Sequence, residues 1–234
     1  MMTDIFSSFD MNNFNLFSMT SNIWIFAILP LIIFQNTLWV MPSRSIAIIL
    51  MLKMFMASQI MRNTGKNISG FMMMMVSMFL LLIFVNLMGL FPYVFSLSSQ
   101  LSFALCYGLP LWLSLIISSI FYSFHGTVSH FLPSGAPSVL NPFLILVETV
   151  SINVRPITLS IRLVANMTAG HIILGLIASY LSVGFFTYSL PILLMMIFIQ
   201  IFYFMFEMAI CLIQAYIFSL LVGLYSDDHP MFLI

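Results

Sequence analysis

Charged and polar side chains recur at a fixed spacing in two stretches of the chain that are otherwise apolar. In the first stretch, Glu148, Arg155 and Arg162 are spaced by seven residues, Asn166 comes four residues later, and His171 follows. Seven residues bring an α-helix back to nearly the same face, with a drift of about 20°. These side chains are therefore predicted to form one polar stripe along a helix.

The second stretch repeats this spacing, with polar side chains at Gln200, Glu207 and Gln214. An Arg or Asp at the centre of a membrane helix costs about 2.5 to 3.5 kcal/mol on an insertion scale, whereas a Leu or Ile contributes only about 0.3 to 0.6 in favour. Ionisable residues at such positions therefore pair or face water, and they commonly mark ion or proton paths. Two adjacent polar stripes predict a proton path, in which His171 can relay protons near neutral pH.

The same stripes also allow a structural interpretation. An ion pair between Arg162 and Glu207 could do no more than lock two helices together. Asn166 and Gln214 could form interhelical hydrogen bonds, with or without a channel role, and His171 could be a hydrogen-bonded packing residue. The number of helical turns that carry polar groups favours a path, because a single lock would not need so many.

The composition places these stripes in a membrane. The chain has 234 residues, of which 62% are apolar and 5% charged, and its mean hydropathy is +1.17. A soluble domain carries about 25% charged residues, so most of this surface must face lipid. The net charge of zero gives no sign of a nucleic-acid partner. No spacing of Cys or His predicts a metal site or a bound haem, and no cofactor is expected.

The apolar stretches predict an all-α polytopic membrane protein with about five membrane helices and one interfacial helix, in a single membrane domain. Three spans of ordinary length are 23–41, 71–95 and 101–124, and the last two form a hairpin without ionisable side chains. Between the first and the second of these spans, the loop 42–70 holds four of the chain's six basic residues, Arg44, Lys53, Arg62 and Lys66. Its middle part, 46–60, is apolar enough to lie in the membrane interface. The positive-inside rule places this loop on the cytoplasmic or matrix side.

The two stretches that carry the polar stripes, 139–183 and 190–225, are longer than one span requires. About 40 helical residues cover roughly 60 Å, which is twice the thickness of the hydrocarbon core. Pro156 could break the first stretch into shorter pieces, but no polar turn surrounds it. We therefore expect two long, strongly tilted helices that form an antiparallel hairpin.

Several motifs along the chain resemble those of one family. The run LSIRLVANMTAGH at 159–171 resembles the signature of subunit a of F-type ATP synthases, and IQAYIFSLLVGLY, which ends at Tyr225, resembles the last helix of that family. The segments MPSR at 41–44, MGLFPY at 88–93 and LPLW at 109–112 resemble the mitochondrially encoded form of animals, particularly arthropods. The lack of an Arg-rich transit peptide and the 21 Met residues fit synthesis inside the organelle.

The resemblance implies a proton-translocating stator subunit that provides two offset half-channels against a rotating ring of c subunits. Arg162 matches the family's essential Arg, which separates the half-channels. The positions that match the half-channel of the intermembrane space are Asn166, His171, Glu207 and Gln214. Those that match the matrix half-channel are Glu148 and Ser151. Glu148 and His171 lie on opposite sides of Arg162, about 35 Å apart along a helix axis.

Two details of this match concern individual residues. His171 and Glu207 stand where bacterial members commonly carry Glu and His, so the same two residue types remain in the channel. Arg155 matches a less uniform position, and it could either pair with Glu148 or stabilise its helix.

The resemblance also implies partners and a location. The partners are the c-ring, the other membrane and peripheral-stalk subunits of the synthase, and membrane lipid. The location is the mitochondrial inner membrane, with the N-terminus in the intermembrane space and the C-terminus in the matrix. The chain has no glycine-rich phosphate loop followed by Lys, so any chemistry on ATP belongs to the complex and not to this chain alone.

Two other functions remain open at this point. One is an antiporter-like proton-pumping subunit of a respiratory oxidoreductase. That chemistry usually relies on Lys and Glu within broken helices, and this chain has no Lys beyond Lys66. The other is a purely structural membrane subunit, in which the polar stripes only hold helices together.

Overall fold

A computed structural model describes residue 9 and residues 44–91, 94–131, 140–227 and 229–230. These residues form helices and turns, with no strand among them. The helices are α1 Arg44–Ile60, α2 Phe71–Gly89, α3 Leu101–Tyr122, α4 Phe124–His130, α5 Asn141–Thr187 and α6 Leu190–Asp227. The predicted span 23–41 lies outside the described residues.

Four of these helices, α2, α3, α5 and α6, are long and apolar enough to cross a membrane, and α1 is a shorter apolar helix. The apolar residues cover every face of α2, as in a helix surrounded by lipid and other helices. Large apolar side chains also point outward, the most exposed being Phe186 at 89%. A surface of this kind needs a lipid or protein cover. The structure confirms the all-α polytopic class.

The two longest helices have 47 and 38 residues, and Pro156 lies inside the first without ending it. The Ser160 hydroxyl donates to the Pro156 carbonyl at 3.0 Å. A Cβ atom placed on Gly108 of α3 would lie 3.6 Å from that same carbonyl oxygen, so α3 packs closely beside the proline. Pro156 has no backbone N–H, so α5 lacks one backbone hydrogen bond at this turn and yet continues through it.

The chain divides into two compact units. Of the described residues, the first unit contains Phe9, residues 44–46, Leu81–Gln100 and Leu163–Ala215. The second contains Ala47–Leu80, Leu101–Arg162 and the residues from Tyr216 onward. Each unit therefore contains segments of α2, α5 and α6. The second unit also contains α3, α4 and most of α1.

A small apolar cluster forms the core of the first unit. Leu90, Met167 and Cys211 are buried there, and the surrounding side chains are those of Leu87, Leu174 and Met208. The Cys211 thiol lies 3.6 Å from the Met167 sulfur. The end of α2 and the facing parts of α5 and α6 meet at this cluster, and it holds them in register.

In the second unit, the turn after α1 is tied to the end of α6. The backbone N–H and the hydroxyl of Thr64 both donate to Asp227 Oδ1, at 2.9 and 2.6 Å. A Cβ atom on Gly65 would collide with the side chain of Ser226, so only glycine permits this approach. Beyond α6, the buried His229 ring packs 5.9 Å from the ring of Tyr122. Burial lowers the pKa of His229, although its hydrogen bond with the Ser118 backbone acts in the opposite direction.

We expect Asp227→Ala to loosen the turn at Thr64, because two hydrogen bonds worth about 1 kcal/mol each are lost. Tryptic cleavage at the exposed Lys66 should become about tenfold faster in the assembled protein, since the local opening that admits the protease becomes more populated. Asp227→Asn is the matched control, because it retains the acceptor oxygen and should stay close to the original rate. Equal cleavage rates in the Ala variant and the unmodified chain would contradict this role.

Candidate functional site

In the first unit, the polar stripes of α5 and α6 face each other. The Asn166 amide donates to Gln214 Oε1 at 2.8 Å, and Gln214 is buried. Met167, the next residue on α5, contacts Cys211, which lies about one turn before Gln214 on α6. Contacts that advance on one helix as they recede on the other show that the two helices run antiparallel here. The structure thus brings together two of the predicted site residues on different helices.

Glu207 is buried, with only 3% of its surface exposed. The Tyr203 hydroxyl, one turn earlier on α6, donates to Glu207 Oε1 at 2.6 Å. On the facing side, Gly170 of α5 lies so close that a Cβ atom there would collide with the Glu207 carboxyl group. Burial of an ionised carboxylate is costly unless donors compensate for lost water, so the Tyr203 hydroxyl matters to this group.

His171 follows Gly170 on α5, and its ring is half-buried. The ring packs edge-on against Phe9, with centroids 6.2 Å apart and planes at 89°. Its Nε2 atom is buried and has no hydrogen-bond partner among the described residues. A buried ring nitrogen without a partner is uncommon. This nitrogen is therefore free to exchange a proton with a group or a water molecule outside the described residues.

Asn86 on α2 was not predicted as a site residue. Its side chain is fully buried in the first unit, and neither its amide nitrogen nor its amide oxygen has a partner among the described residues. The same holds for the hydroxyl of Ser98, in the turn that follows α2. The predicted hairpin 71–124 drew notice only for its lack of ionisable side chains. The available signal was a single amide within the apolar run 78–90.

In the second unit, Glu148 and Arg155 form an ion pair, with 3.7 Å between Oε1 and Nη2. The Arg155 guanidinium also lies over the ring of Tyr225, 5.2 Å from its centroid, where a cation–π attraction operates. Of the two roles predicted for Arg155, the structure therefore supports pairing with Glu148. Ser151, one turn after Glu148 on α5, is exposed.

Arg162 is exposed, and the described residues supply it with neither a hydrogen bond nor an ion pair. Its guanidinium stays charged even where water is scarce. In an apolar setting such a charge requires a partner, which must come from outside the described part of the chain. The structure gives no support to an interpretation in which this side chain only locks helices.

The His, Cys, Asp and Glu side chains in the described ranges do not form any group of three that could hold a metal ion. The polar groups gathered in the first unit are instead a buried carboxylate, an imidazole, and three amides. Their chemistry is that of hydrogen bonding and proton exchange.

Comparisons with known proteins agree on one family. The family model described as "ATP synthase A chain" matches residues 16–227. The protein named "ATP synthase subunit a" in Albinaria caerulea is 38% identical over 233 residues, which is 98% of this chain and all of that protein. Proteins of the same name in Locusta migratoria and Aedes albopictus are 34% and 36% identical over 229 residues, covering 97% of this chain and 99% of each relative.

We expect Gly170→Ala to destabilise the packing of α5 against α6, because the added methyl group must displace the Glu207 carboxyl group. The carboxyl group ends a flexible side chain, so it can turn aside, but doing so gives up its hydrogen bond with Tyr203, which costs about 1 to 3 kcal/mol. The thermal midpoint of the protein in lipid or detergent should fall by several degrees. Gly108→Ala is the matched control, because its methyl group would meet its neighbours only at ordinary contact distances of 3.6 to 4.0 Å. Equal midpoints for the two variants would show that the approach at Gly170 is not tight.

Proposed function

Since this chain belongs to the ATP synthase A chain family, whose members are the proton-translocating stator subunits of F-type ATP synthases, we propose that it conducts protons through two offset half-channels separated by Arg162. The observation that carries this proposal is the buried Glu207 carboxylate among polar side chains of α5 and α6. Neither the antiporter-like function nor the structural one gains support from the comparisons.

The half-channel open to the intermembrane space is formed by the polar groups of the first unit. Gln214 and Asn166 hydrogen-bond to each other, so each keeps further donors and acceptors for water. Glu207 and His171 are the two groups in this set that can take up and release a proton. Asn86 adds a buried amide whose donors and acceptor are unused among the described residues. A wet, narrow path through this unit would satisfy all of these groups at once.

The matrix half-channel is assigned to Glu148 and Ser151. Glu148 is about a third exposed, so its carboxylate can exchange protons with water while it is paired with Arg155. The pairing holds the carboxylate at one position on α5, where it can accept a proton on its way out. Ser151 offers a hydroxyl one turn further along the same helix.

Arg162 works at the surface between the chain and a ring of c subunits that carry carboxylates. A guanidinium favours the ionised form of a carboxylate nearby, so it promotes release of the proton from each carboxylate that arrives. A fixed positive charge also repels a proton that would pass directly from one half-channel to the other. The proton must then travel with the ring. A membrane potential contributes about 2.3 kcal/mol per elementary charge per 100 mV to this rotation.

The chain is part of the ATP synthase complex, as a multi-pass protein of the mitochondrial inner membrane. We further assign the c-ring and the peripheral stalk as its neighbours, the N-terminus to the intermembrane space, and the basic loop 42–70 and the C-terminus to the matrix. α5 would extend for about 70 Å along its axis, which exceeds a core of about 30 Å. We therefore propose that α5 and α6 lie strongly tilted in the membrane.

We expect Arg162→Ala to lower proton-driven ATP synthesis by at least about a hundredfold, since the stabilising charge for the ring carboxylates is removed. The measurement uses inner-membrane vesicles that contain the assembled complex, with assembly checked by native gel. Arg62→Ala, in the exposed turn after α1, is the matched control and should retain normal synthesis. Synthesis near the intact level in an assembled Arg162→Ala complex would refute the two-channel mechanism.

The orientation can be tested by thiol labelling of a chain in which Cys106 and Cys211 are replaced by Ala. In this background, Lys66→Cys should react with an impermeant maleimide only in inverted vesicles, whose matrix face is outward. Ser7→Cys should react only when the opposite face is outward. Labelling of Lys66→Cys from the intermembrane space would reverse the proposed topology.

A further inference from the structure

Tyr203 makes a direct contact with the buried carboxylate of the proposed proton path, and no motif of the sequence analysis includes it. Its hydroxyl donates to Glu207 Oε1 at 2.6 Å. This distance is typical of a hydrogen bond from a hydroxyl to a charged oxygen, which is stronger than a neutral one. Tyr203 and Glu207 are four residues apart on α6, so they lie on the same face of the helix.

The surroundings of Glu207 make this contact decisive for its orientation. On the side of α5, Gly170 leaves room for the carboxyl group and for nothing more. On its own helix, the Tyr203 hydroxyl fixes one of the two carboxyl oxygens. The carboxyl group is thus confined between the backbone of α5 at Gly170 and the Tyr203 hydroxyl of α6.

The titratable groups near Glu207 are few. On α6 they are Tyr203, one turn before it, and the buried Cys211, one turn after it. On α5, His171 follows Gly170, and its ring packs against Phe9. The described residues place no Lys, Arg or His within ion-pair distance of Glu207. The phenol is therefore the donor that the described part of the chain provides for the ionised carboxylate.

We propose that Tyr203 is a positioning residue for proton transfer, whose hydroxyl holds the Glu207 carboxylate in one orientation. This inference rests on the proposed function, because it assumes that Glu207 takes up protons during turnover. Tyr203 itself is only half-buried. A proton that reaches Glu207 then meets a carboxylate that is already oriented.

A purely structural role for Tyr203 makes a different prediction. Its ring also packs against Phe206, with centroids 6.2 Å apart. Tyr203→Phe keeps this ring packing and removes only the hydroxyl. If Tyr203 served only in packing, the variant would therefore keep the original rate of ATP synthesis and its dependence on pH. If Tyr203 positions Glu207, both should change.

The test measures ATP synthesis by the assembled complex in vesicles, driven by an imposed proton gradient, while the pH of the side from which protons enter is varied. In Tyr203→Phe, we expect the maximal rate to fall about tenfold to a hundredfold, the effect of losing one hydrogen bond to a charged group. The dependence of the rate on the entry-side pH should also change, because the hydroxyl that contacts the proton-accepting carboxylate is lost.

Two further variants make the result decisive. Tyr180→Phe is the matched control, because Tyr180 is an exposed tyrosine on α5 and should leave both the rate and the pH profile unchanged. Glu207→Asp shortens the carboxylate by one methylene group, out of reach of the phenol. Adding Tyr203→Phe to Glu207→Asp should then have little further effect, as expected for two residues that act through one contact.

The outcomes separate this inference from the function on which it rests. If Tyr203→Phe matches Tyr180→Phe, or lowers the rate without shifting the pH profile, Tyr203 is not a positioning residue. If the effects of Tyr203→Phe and Glu207→Asp simply add, the proposed contact is also refuted. If Glu207→Gln itself leaves synthesis intact, the half-channel assignment of Glu207 fails, whatever Tyr203 does.

Discussion

The cost of keeping polar and charged groups in an apolar environment governs this structure. Only 5% of the residues are charged, and the membrane offers no water to those that lie within it. Each polar side chain on α5 and α6 therefore needs a partner or a wet path. The chain meets this need in different ways along the same two helices. An amide pairs with an amide at Asn166 and Gln214, and a phenol donates to a carboxylate at Glu207.

The close packing of α5 and α6 follows from the same constraint. Bulk water is kept away from the Glu207 carboxylate only where the facing helix approaches closely. Gly170 permits that approach because it has no side chain. The cluster of Leu90, Met167 and Cys211 supplies the apolar contacts that keep the helices in place beside it. The hydrogen bonding of the Glu207 carboxylate and the close packing of α5 against α6 therefore depend on each other, and a change in one disturbs the other.

The sequence allowed the fold class and the facing of the two polar stripes to be predicted, because spacing by seven residues and apolar length are properties of a single helix. Other features depend on three-dimensional neighbours. Tyr203 lies in an apolar run rich in aromatic residues, where a tyrosine attracts no notice until a carboxylate is seen beside it. Asn86 carries no charge, so a search for ionisable groups passes over it. The partner of Arg155 was left open because helical spacing alone does not fix a side-chain rotamer.

The guanidinium of Arg162, which is exposed and has no partner among the described residues, has a consequence for the life of the chain before assembly. A chain that enters the bilayer alone carries a charge that nothing in its described part neutralises, and a neighbour of opposite charge, such as the proposed ring of c subunits, would lower the free energy of that charge. Binding of the neighbour thus stabilises the inserted state by mass action. An orphan copy would be held less firmly in its inserted form, so its abundance would follow the supply of the subunit that covers this guanidinium in the assembled complex.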